Sequence, residues 1–457
     1  MNSPRQNSLT DTSNNMATRI AFYTLGCKSN QYDTEIMKKE SEKRPGYRVV
    51  SFGEDADISV INTCSVTTGA DRKSRKYIRR AHRRGETVLV TGCYVTLNSD
   101  VIANIDGVDL IFPNSHKYEF RQVLETLEKG YTGIIDDREA INWDLDSETI
   151  GRDRNHTRAF VKVQDGCSNN CSFCKVRYLR GPTRSKSPGK VLEEARELGD
   201  NGFSEIVLTG VNLAEYGAEG LILPDLLEEL TGVKEISRIR LSSINPAGIT
   251  KELLDVFQFS RKLCPYFHVP LQSGSNEILD SMERNYTREK YLERIEMIKK
   301  RLEAPTFGTD VLVGFPGEGE DDFKRTKEII EKVKFLNLHE FRFTPREVTP
   351  AANYDDRIDS TVKKERADEI SHLAAETAGK VRRRFEGKRL KMVLEEPSKI
   401  IDGWRGYARN YLDLHLPKNS VEERVARGDT VTVELERAGD EFNLAKRPES
   451  LALNRSP

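Results

Sequence analysis

The sequence predicts a multidomain α/β chain. It has a parallel α/β domain at the N-terminus, a partial (β/α)6 barrel in the centre and a small all-β barrel at the end. Three observations predict it. Short β-prone apolar runs alternate with helical patterns along 19–137 and again along 159–379, which is how parallel sheets with crossover helices read. A polar, charge-rich stretch, 138–158, separates the two series and reads as a linker. Over 380–457 the pattern changes to short strands between Pro, Gly and Asn turns, as in a small barrel.

Residues 1–18 are rich in Ser, Asn and Thr and have no apolar stretch, so they read as a disordered lead-in rather than a signal peptide. In the first series, strands are expected at 20–25, 58–62, 87–91 and near Leu110, with helices at about 34–43, 69–84 and 116–129. Cys27, Cys64 and Cys93 each fall just beyond the C-terminal end of a strand. In open α/β sheets those ends line one edge, where ligands bind, so the three can meet in space. In the second series, strands are expected at 160–164, 205–210, 239–244, 267–272, 307–315 and 340–344. The clearest helices are 287–302, with Tyr291, Ile295, Ile298 and Leu302 on one face, and 320–333. Such a barrel places its active site at the C-terminal mouth of its strands. In the tail, 391–395, 406–416 and 430–435 read as strands.

With 457 residues the chain has room for about three domains. Charged residues make up 32% of it and cancel to a net charge of -1, so any nucleic-acid signal has to be local. No apolar run approaches the ~20 residues of a membrane span, and a cytoplasmic location is expected. The seven cysteines are an odd number in a large chain, which argues against a disulfide framework.

Three of them crowd into Gly166-Cys167-Ser168-Asn169-Asn170-Cys171-Ser172-Phe173-Cys174, directly after the first barrel strand. One tight loop can aim three thiolates at one centre, and soft thiolates select iron–sulfur clusters or zinc. A structural zinc site wants a fourth Cys or His close by, and none follows within twenty residues of Cys174. A zinc loop completed by a distant residue is the alternative. The C-x3-C-x2-C spacing, with an aromatic before the last Cys, resembles the radical S-adenosylmethionine (SAM) signature. The resemblance implies that Cys167, Cys171 and Cys174 hold a 4Fe–4S cluster whose open iron chelates SAM, with Phe173 against the adenine.

Three further motifs narrow it. Thr24-Leu25-Gly26-Cys27-Lys28-Ser29-Asn30-Gln31, Asn62-Thr63-Cys64-Ser65-Val66-Thr67 and Thr91-Gly92-Cys93-Tyr94 resemble the N-terminal domain of the radical SAM methylthiotransferases. The residues around Cys27, with Ala70-Asp71-Arg72-Lys73-Ser74-Arg75, look like the tRNA threonylcarbamoyladenosine branch, the MtaB type. The resemblance implies a flavodoxin-like N-terminal domain, a radical SAM barrel and a C-terminal TRAM domain. It implies a second 4Fe–4S cluster on Cys27, Cys64 and Cys93. It also implies SAM contacts from Thr209, Gly210 and Asn212, from Ser242 and Ser243, from Gln272, and from Val313 and Gly314. Ordinary turn chemistry at strand ends is the alternative for each of these. Lys175, Arg177, Asn245 and Val348 depart from the family pattern, and Cys264 reads as a core cysteine.

For RNA, Arg72, Lys73, Arg75, Lys76, Arg79, Arg80, Arg83 and Arg84 load one helix with no acid among 72–84. Arg72, Arg75, Arg79 and Arg83 are expected to share a face. A second basic run, with Arg382 and Arg383, precedes the tail, whose Trp404, Tyr407 and Tyr411 either stack on bases or fill the barrel core. The implied reaction places a methylthio group on carbon 2 of N6-threonylcarbamoyladenosine at position 37 of tRNA. A reductant such as flavodoxin or ferredoxin and a sulfur donor are the implied partners. The rivals are the same chemistry on isopentenyladenosine tRNA or on ribosomal protein S12, and a non-catalytic iron–sulfur RNA-binding protein.

Overall fold

The computed structural model describes residues 17–135, 143–150, 157–420, 425–439 and 442–448. Of the lead-in expected over 1–18, residues 1–16 lie outside the described residues. The chain divides into two compact units, 1–150 with 178–181, and 151–177 with 182–457.

The first unit runs β1 Thr18–Thr24, α1 Lys28–Glu42, β2 Tyr47–Val50, β3 Ile58–Thr63, α2 Thr68–His82, β4 Thr87–Gly92, α3 Cys93–Ala103, β5 Leu110–Ile111, α4 Phe120–Glu128 and β6 Gly133–Ile134. The sheet order is β2-β1-β3-β4-β5-β6 and every pair is parallel. Strand β3 is buried at all six positions because helices cover both faces. Alternate side chains serve opposite layers. Val60 joins Ile20, Leu89 and Phe120, whereas Ile61 joins Ile78, Val90 and Ile102. Helix α1 begins at Lys28, earlier than its apolar period suggests, because its first turns bury the polar Ser29, Asn30, Asp33 and Thr34. Part of the expected linker packs into this unit. Trp143, Leu145 and Ile150 are buried, and Lys39 Nζ donates to Thr149 O at 2.6 Å.

The second unit opens with β7 Ala159–Lys162, β8 Gln164–Asp165, α5 Val176–Arg180 (whose last three residues count with the first unit), β9 Arg184–Ser185, α6 Pro188–Asp200, β10 Glu205–Thr209, β11 Gly217–Ala218, β12 Leu221–Ile222 and α7 Leu223–Thr231. It continues through β13 Arg238–Leu241, α8 Lys251–Phe259, β14 Tyr266–His268, α9 Asn276–Ser281, α10 Arg288–Arg301, β15 Thr306–Val313, α11 Glu320–Val333, β16 Asn337–Arg342 and α12 Ser360–Arg383. Two parallel three-stranded sheets, β13-β10-β7 and β14-β15-β16, are joined by bridges from Ile239 to Leu263 and from Ser243 to His268. The result is six parallel strands in a curved sheet with β7 and β16 at its edges, the expected partial barrel. Local signals start its helices. Ser187 caps α6 with Pro188 at the first helical position, and Thr250 and Thr287 cap α8 and α10.

Strands β17 Arg389–Pro397, β18 Gly403–Ala408, β19 Asp413–Pro417, β20 Thr430–Ala438 and β21 Asn443–Lys446 close into a barrel of order β17-β18-β19-β21-β20. The strand expected over 406–416 is two strands. The chain reverses between them with Tyr411 at φ +68°, and Ala408 N donates to Leu412 O at 2.9 Å. This barrel is fastened to the N-terminal ends of β10 and β13. The fully buried Arg240 pairs with Glu205 at 2.7 Å and donates to Arg409 O at 2.8 Å and Ala408 O at 3.1 Å. No described helix is long and apolar enough to cross a membrane.

Candidate active site

In the second unit, the loop after β8 is fixed before its first cysteine. Gln164 Nε2 donates to Gly166 O at 2.8 Å and to Thr183 Oγ1 at 2.9 Å, and its Oε1 accepts from Asn212 N at 2.9 Å. The fully buried Asp165 pairs with Lys162 at 3.0 Å and accepts from Gly166 N at 2.9 Å. Glu215 gathers the next turn, accepting from Ser168 N at 2.9 Å, Asn169 Nδ2 at 2.7 Å and Asn212 Nδ2 at 2.9 Å, with Cys167 Sγ 3.6 Å away. Ser172 pins the middle of the loop, its N–H donating to Met282 O at 3.1 Å and its hydroxyl to Ser281 O at 2.8 Å.

Cys171 carries a cation. Arg284 Nη1 donates to its sulfur at 3.1 Å, and Tyr286 holds the guanidinium at 3.2 Å. Tyr286 is itself anchored, donating to Pro270 O and Leu271 O at 2.9 and 3.0 Å. Burial pushes the Cys174 thiol up to about 12 and raises Cys167 as well. The three cysteines share a cavity of about 190 Å³ with Phe173, Asn212, Ser243, Gln272, Arg284 and Asp310. It lies at the C-terminal ends of the barrel strands.

The first unit brings its three cysteines to the C-terminal ends of the neighbouring strands β1, β3 and β4. Cys27 is the N-cap of α1, Cys64 follows β3 and Cys93 opens α3. Glycine is required twice. A Cβ on Gly26 would meet Cys64 Cβ and Sγ at 2.9 Å, and one on Gly92 would meet Thr63 O at 2.3 Å; both residues have positive φ, +100° and +101°. Asn30 ties the loops together, donating to Leu25 O at 2.8 Å and Thr63 O at 2.9 Å. Cys64 and Cys93 are buried, which pushes the Cys64 thiol up to about 12 and raises Cys93 against the opposing charges of Arg180 and Lys117. These cations are themselves buried and share Asp33, at 3.2 and 3.3 Å.

Each triad offers three soft thiolates, a donor set that fits an iron–sulfur cluster. Burial favours the neutral thiol, so binding a metal there would release protons.

The comparisons with known proteins agree with this geometry. The Radical SAM superfamily model matches residues 161–330, and a model described as an uncharacterized protein family, UPF0004, matches 19–113. A threonylcarbamoyladenosine tRNA methylthiotransferase MtaB from Aquifex aeolicus is 38% identical over 87% of this chain and 96% of its own. Its Bacillus subtilis counterpart is 36% identical over 94% and 96%. The chain belongs to the radical SAM methylthiotransferase family, in its MtaB branch. A tRNA-2-methylthio-N(6)-dimethylallyladenosine synthase from Acetivibrio thermocellus is 32% identical over 83% of this chain and 81% of its own. In fold, the radical SAM methyltransferase TsrM from Kitasatospora setae matches with a TM-score of 0.58 over 74% of this chain and 75% of its own, at 12% identity. As a radical SAM protein, this methylthiotransferase works with SAM and a 4Fe–4S cluster.

Of the SAM contacts the sequence suggested, Phe173, Asn212, Ser243 and Gln272 line the cavity of this methylthiotransferase. Thr209, Gly210, Ser242, Val313 and Gly314 do not. Thr209 and Val313 are buried, and Gly210 lets Gln164 approach, since a Cβ there would stand 2.7 Å from its Oε1. Gly314, at φ +70°, donates its N–H to the Glu318 carboxylate. Glu215 and Arg284 were not legible in the sequence, because each acts on a cysteine 48 or 113 residues away. Of the departures, Asn245 lines the cavity, Lys175 is buried, and Arg177 and Val348 are exposed. Cys264 is fully buried.

The basic helix α2 differs in one position from expectation. It buries Ser74, Ile78 and Ala81, so its outer stripe is Arg72, Lys76, Arg79 and Arg83. Arg75 lies to the side, half-buried and bonded to Tyr94 Oη at 2.7 Å. The run with Arg382 and Arg383 is the last turn of α12. The tail aromatics are packed rather than presented. Tyr411 stacks on Tyr266 at 4.5 Å and lies 5.0 Å from Tyr407, and Trp404 packs against the small barrel's core.

Proposed function

We propose that this protein converts N6-threonylcarbamoyladenosine at position 37 of tRNA to its 2-methylthio derivative, using two 4Fe–4S clusters. The observation that carries the reading is the pair of three-cysteine sites, each at the C-terminal ends of parallel strands, in a chain whose relatives are named for this reaction. The carbon 2 C–H bond is inert to polar chemistry, and SAM bound at the barrel's cluster would supply a 5′-deoxyadenosyl radical. Cys167, Cys171 and Cys174 hold that cluster. Phe173, Asn212, Ser243 and Gln272, which line the cavity, would orient SAM there and help to exclude water. Cys27, Cys64 and Cys93 would hold the second cluster, the group that would supply the sulfur, with Arg180 and Lys117 placed to offset thiolate charge.

The outer stripe of α2, the end of α12 with Arg382 and Arg383, and the TRAM-like C-terminal barrel bind tRNA phosphates. A flavodoxin or ferredoxin supplies electrons, a separate donor supplies sulfur, and the setting is the cytoplasm. The test is mass spectrometry of tRNA nucleosides from a host lacking the product, with and without this gene. Wild type yields 2-methylthio-threonylcarbamoyladenosine. Cys174→Ala loses SAM cleavage, while Cys64→Ala keeps some cleavage and yields no product. Full product from the Cys64 variant would remove the second cluster from the mechanism.

A further inference from the structure

The second unit holds another cavity, apart from its cysteines, that the reaction as described does not use. It measures about 490 Å³, the size of a small-molecule site, and lies where the small barrel meets the central one. Pro265 precedes β14, and Glu303 and Ala304 precede β15, so the cavity opens at the N-terminal ends of those strands. Gln272 and Asp310, beside the cysteines, stand further along toward the C-terminal ends. The other walls come from the residues after α12, the start of β17 and the turn between β18 and β19.

The lining is charged in one sense. Arg384, Lys388, Arg389, Lys391 and Arg409 line it, against Glu303 as the one acid among the described residues. Arg384, Lys388, Lys391, Arg409 and Glu303 make no ion pair among the described residues. Neighbouring segments neutralise their cations, Lys364 with Asp368 at 2.6 Å, Lys380 with Glu376 at 2.5 Å and Arg405 with Asp413 at 2.8 Å. The floor is fixed. Arg240 Nη1 donates to Arg409 O at 2.8 Å, Arg409 Nη2 to Leu263 O at 2.8 Å, and Thr306 Oγ1 to Asn410 O. Two polar atoms there stand unsatisfied. Arg409 Nε and Asn410 Oδ1 are buried without a hydrogen-bond partner, and Asn410 as a whole is 4% exposed. Buried polar groups are ordinarily hydrogen-bonded, so unpartnered ones at the floor of a cationic cavity point to a ligand. Turned about its axis, the Asn410 amide offers its NH2 to an anion.

We infer that this cavity is a phosphate-binding site, in which Arg384, Lys388, Lys391 and Arg409 take the oxygens of a phosphate group and Asn410 completes its hydrogen bonds. Guanidinium and ammonium groups are the donors that phosphate oxygens accept from, and a concave wall of one sign concentrates such an anion. The bound group does not react. Four residues of β15, at about 3.3 Å each, separate Thr306 at this end from Asp310 at the cysteine cavity, so the phosphate sits on the order of 13 Å or more from the chemistry. Its work is to hold a molecule in place, as phosphate contacts position a nucleic acid without reading its sequence. Two sources carry such a group, the backbone of the tRNA and a free phosphorylated compound. The first rests on the proposed substrate and the second does not.

The reconstituted full-length protein is tested with two probes, tRNA and inorganic pyrophosphate. Lys388→Gln with Lys391→Gln removes two exposed cations from the cavity wall. Lys327→Gln with Lys364→Gln is the control, since it removes the same charge where Glu369 and Asp368 already neutralise it. Iron content and circular dichroism verify each fold. With tRNA as the source, the cavity variant binds tRNA about tenfold more weakly, the loss of one charge-assisted hydrogen bond, and the control does not. Its logarithmic salt dependence also flattens, by about 0.9 for each phosphate no longer neutralised. With a free compound as the source, wild type binds one equivalent of pyrophosphate in calorimetry, the cavity variant loses it, and tRNA binding is unchanged. Wild-type affinity of the cavity variant for both probes would overturn the inference. So would equal losses in the control, since the effect would then be one of overall charge. Failure of the substrate reading looks different, because wild type would then give no methylthio product from tRNA.

Discussion

Consider Gly92→Ala. Gly92 has φ +101° and ψ -174°, a conformation nearly closed to side chains, and strain there costs on the order of 1–3 kcal/mol. Crowding adds to it. The new Cβ would stand 2.3 Å from Thr63 O and 2.5 Å from Thr63 N, both backbone atoms of β3. Overpacking of that kind costs about 1–3 kcal/mol more. Thr63 pairs with Gly92 across the ladder, so relief requires β3 and β4 to part at the ends that carry Cys64 and Cys93. The expected result is a first unit that melts earlier and no longer holds a cluster. Iron falls from about eight to about four per chain, the equivalent of one 4Fe–4S group. SAM cleavage survives and the methylthio product does not. Gly46→Ala is the control, because Gly46 has φ +87° but open space where a Cβ would go. It carries only the left-handed strain of about 1–2 kcal/mol and keeps its iron. A Gly92→Ala protein with full iron and wild-type product would refute the reasoning, as would equal iron loss in Gly46→Ala.

Three further outcomes are expected. Arg284→Gln removes a cation and a donor from Cys171, so the midpoint potential of the barrel cluster falls in an EPR-monitored redox titration; an unchanged potential would show that Arg284 serves only to hold the loop. Glu205→Gln leaves the buried Arg240 uncompensated and costs about 3–5 kcal/mol in a denaturant titration at neutral pH. Burial alone would raise the Glu205 carboxyl, but the charges of Arg240, Arg158 and Arg238 outweigh it and hold it below the usual range. The stability it contributes is therefore present above the unfolded value of about 4.3 and is lost as pH falls through the lower folded value, so the variant's stability falls less steeply in acid. On α2, Lys76→Glu with Arg79→Glu weakens tRNA binding and flattens the logarithmic salt dependence by about 0.9 for each phosphate no longer neutralised, and an unchanged slope would place the RNA elsewhere.

The barrel strands and α10 and α11 were legible because a buried strand or an amphipathic helix repeats its apolar residues at a fixed period. Where burial rests on other residues the period is silent. Helix α12 buries Arg366, Thr377, Ala378 and Gly379 as well as Ile370 and Val381, so its inner face looked like polar sequence. Helix α1 hid its first turns in the same way. Strands β2 and β21 are four residues each and only partly buried, too short to alternate convincingly. Tyr407 and Tyr411 show the converse ambiguity. An aromatic is equally suited to a base or to a core, and its sequence does not say that Tyr266, Arg158 and Arg240 stand beside it.

The six cysteines of the two triads were legible for a different reason. Three share one short loop, and three fall at strand ends that a parallel sheet brings to one edge. What surrounds them was not. Glu215 sits by Cys167 and Arg284 by Cys171, while Arg180, Lys117 and Asp33 come from three separate segments to the neighbourhood of Cys93. These pairings span from 48 to 147 residues, so no spacing announces them. Yet they set the charge around each thiolate, and charge decides the potential and ligand preference of a cluster. The barrel loop has one carboxylate and one cation against its sulfurs, whereas the N-terminal triad has two buried cations sharing one carboxylate. Which cysteines meet at each site follows from local sequence. How each group behaves follows from tertiary packing, and there substitution of residues such as Arg284 separates cluster assembly from cluster chemistry.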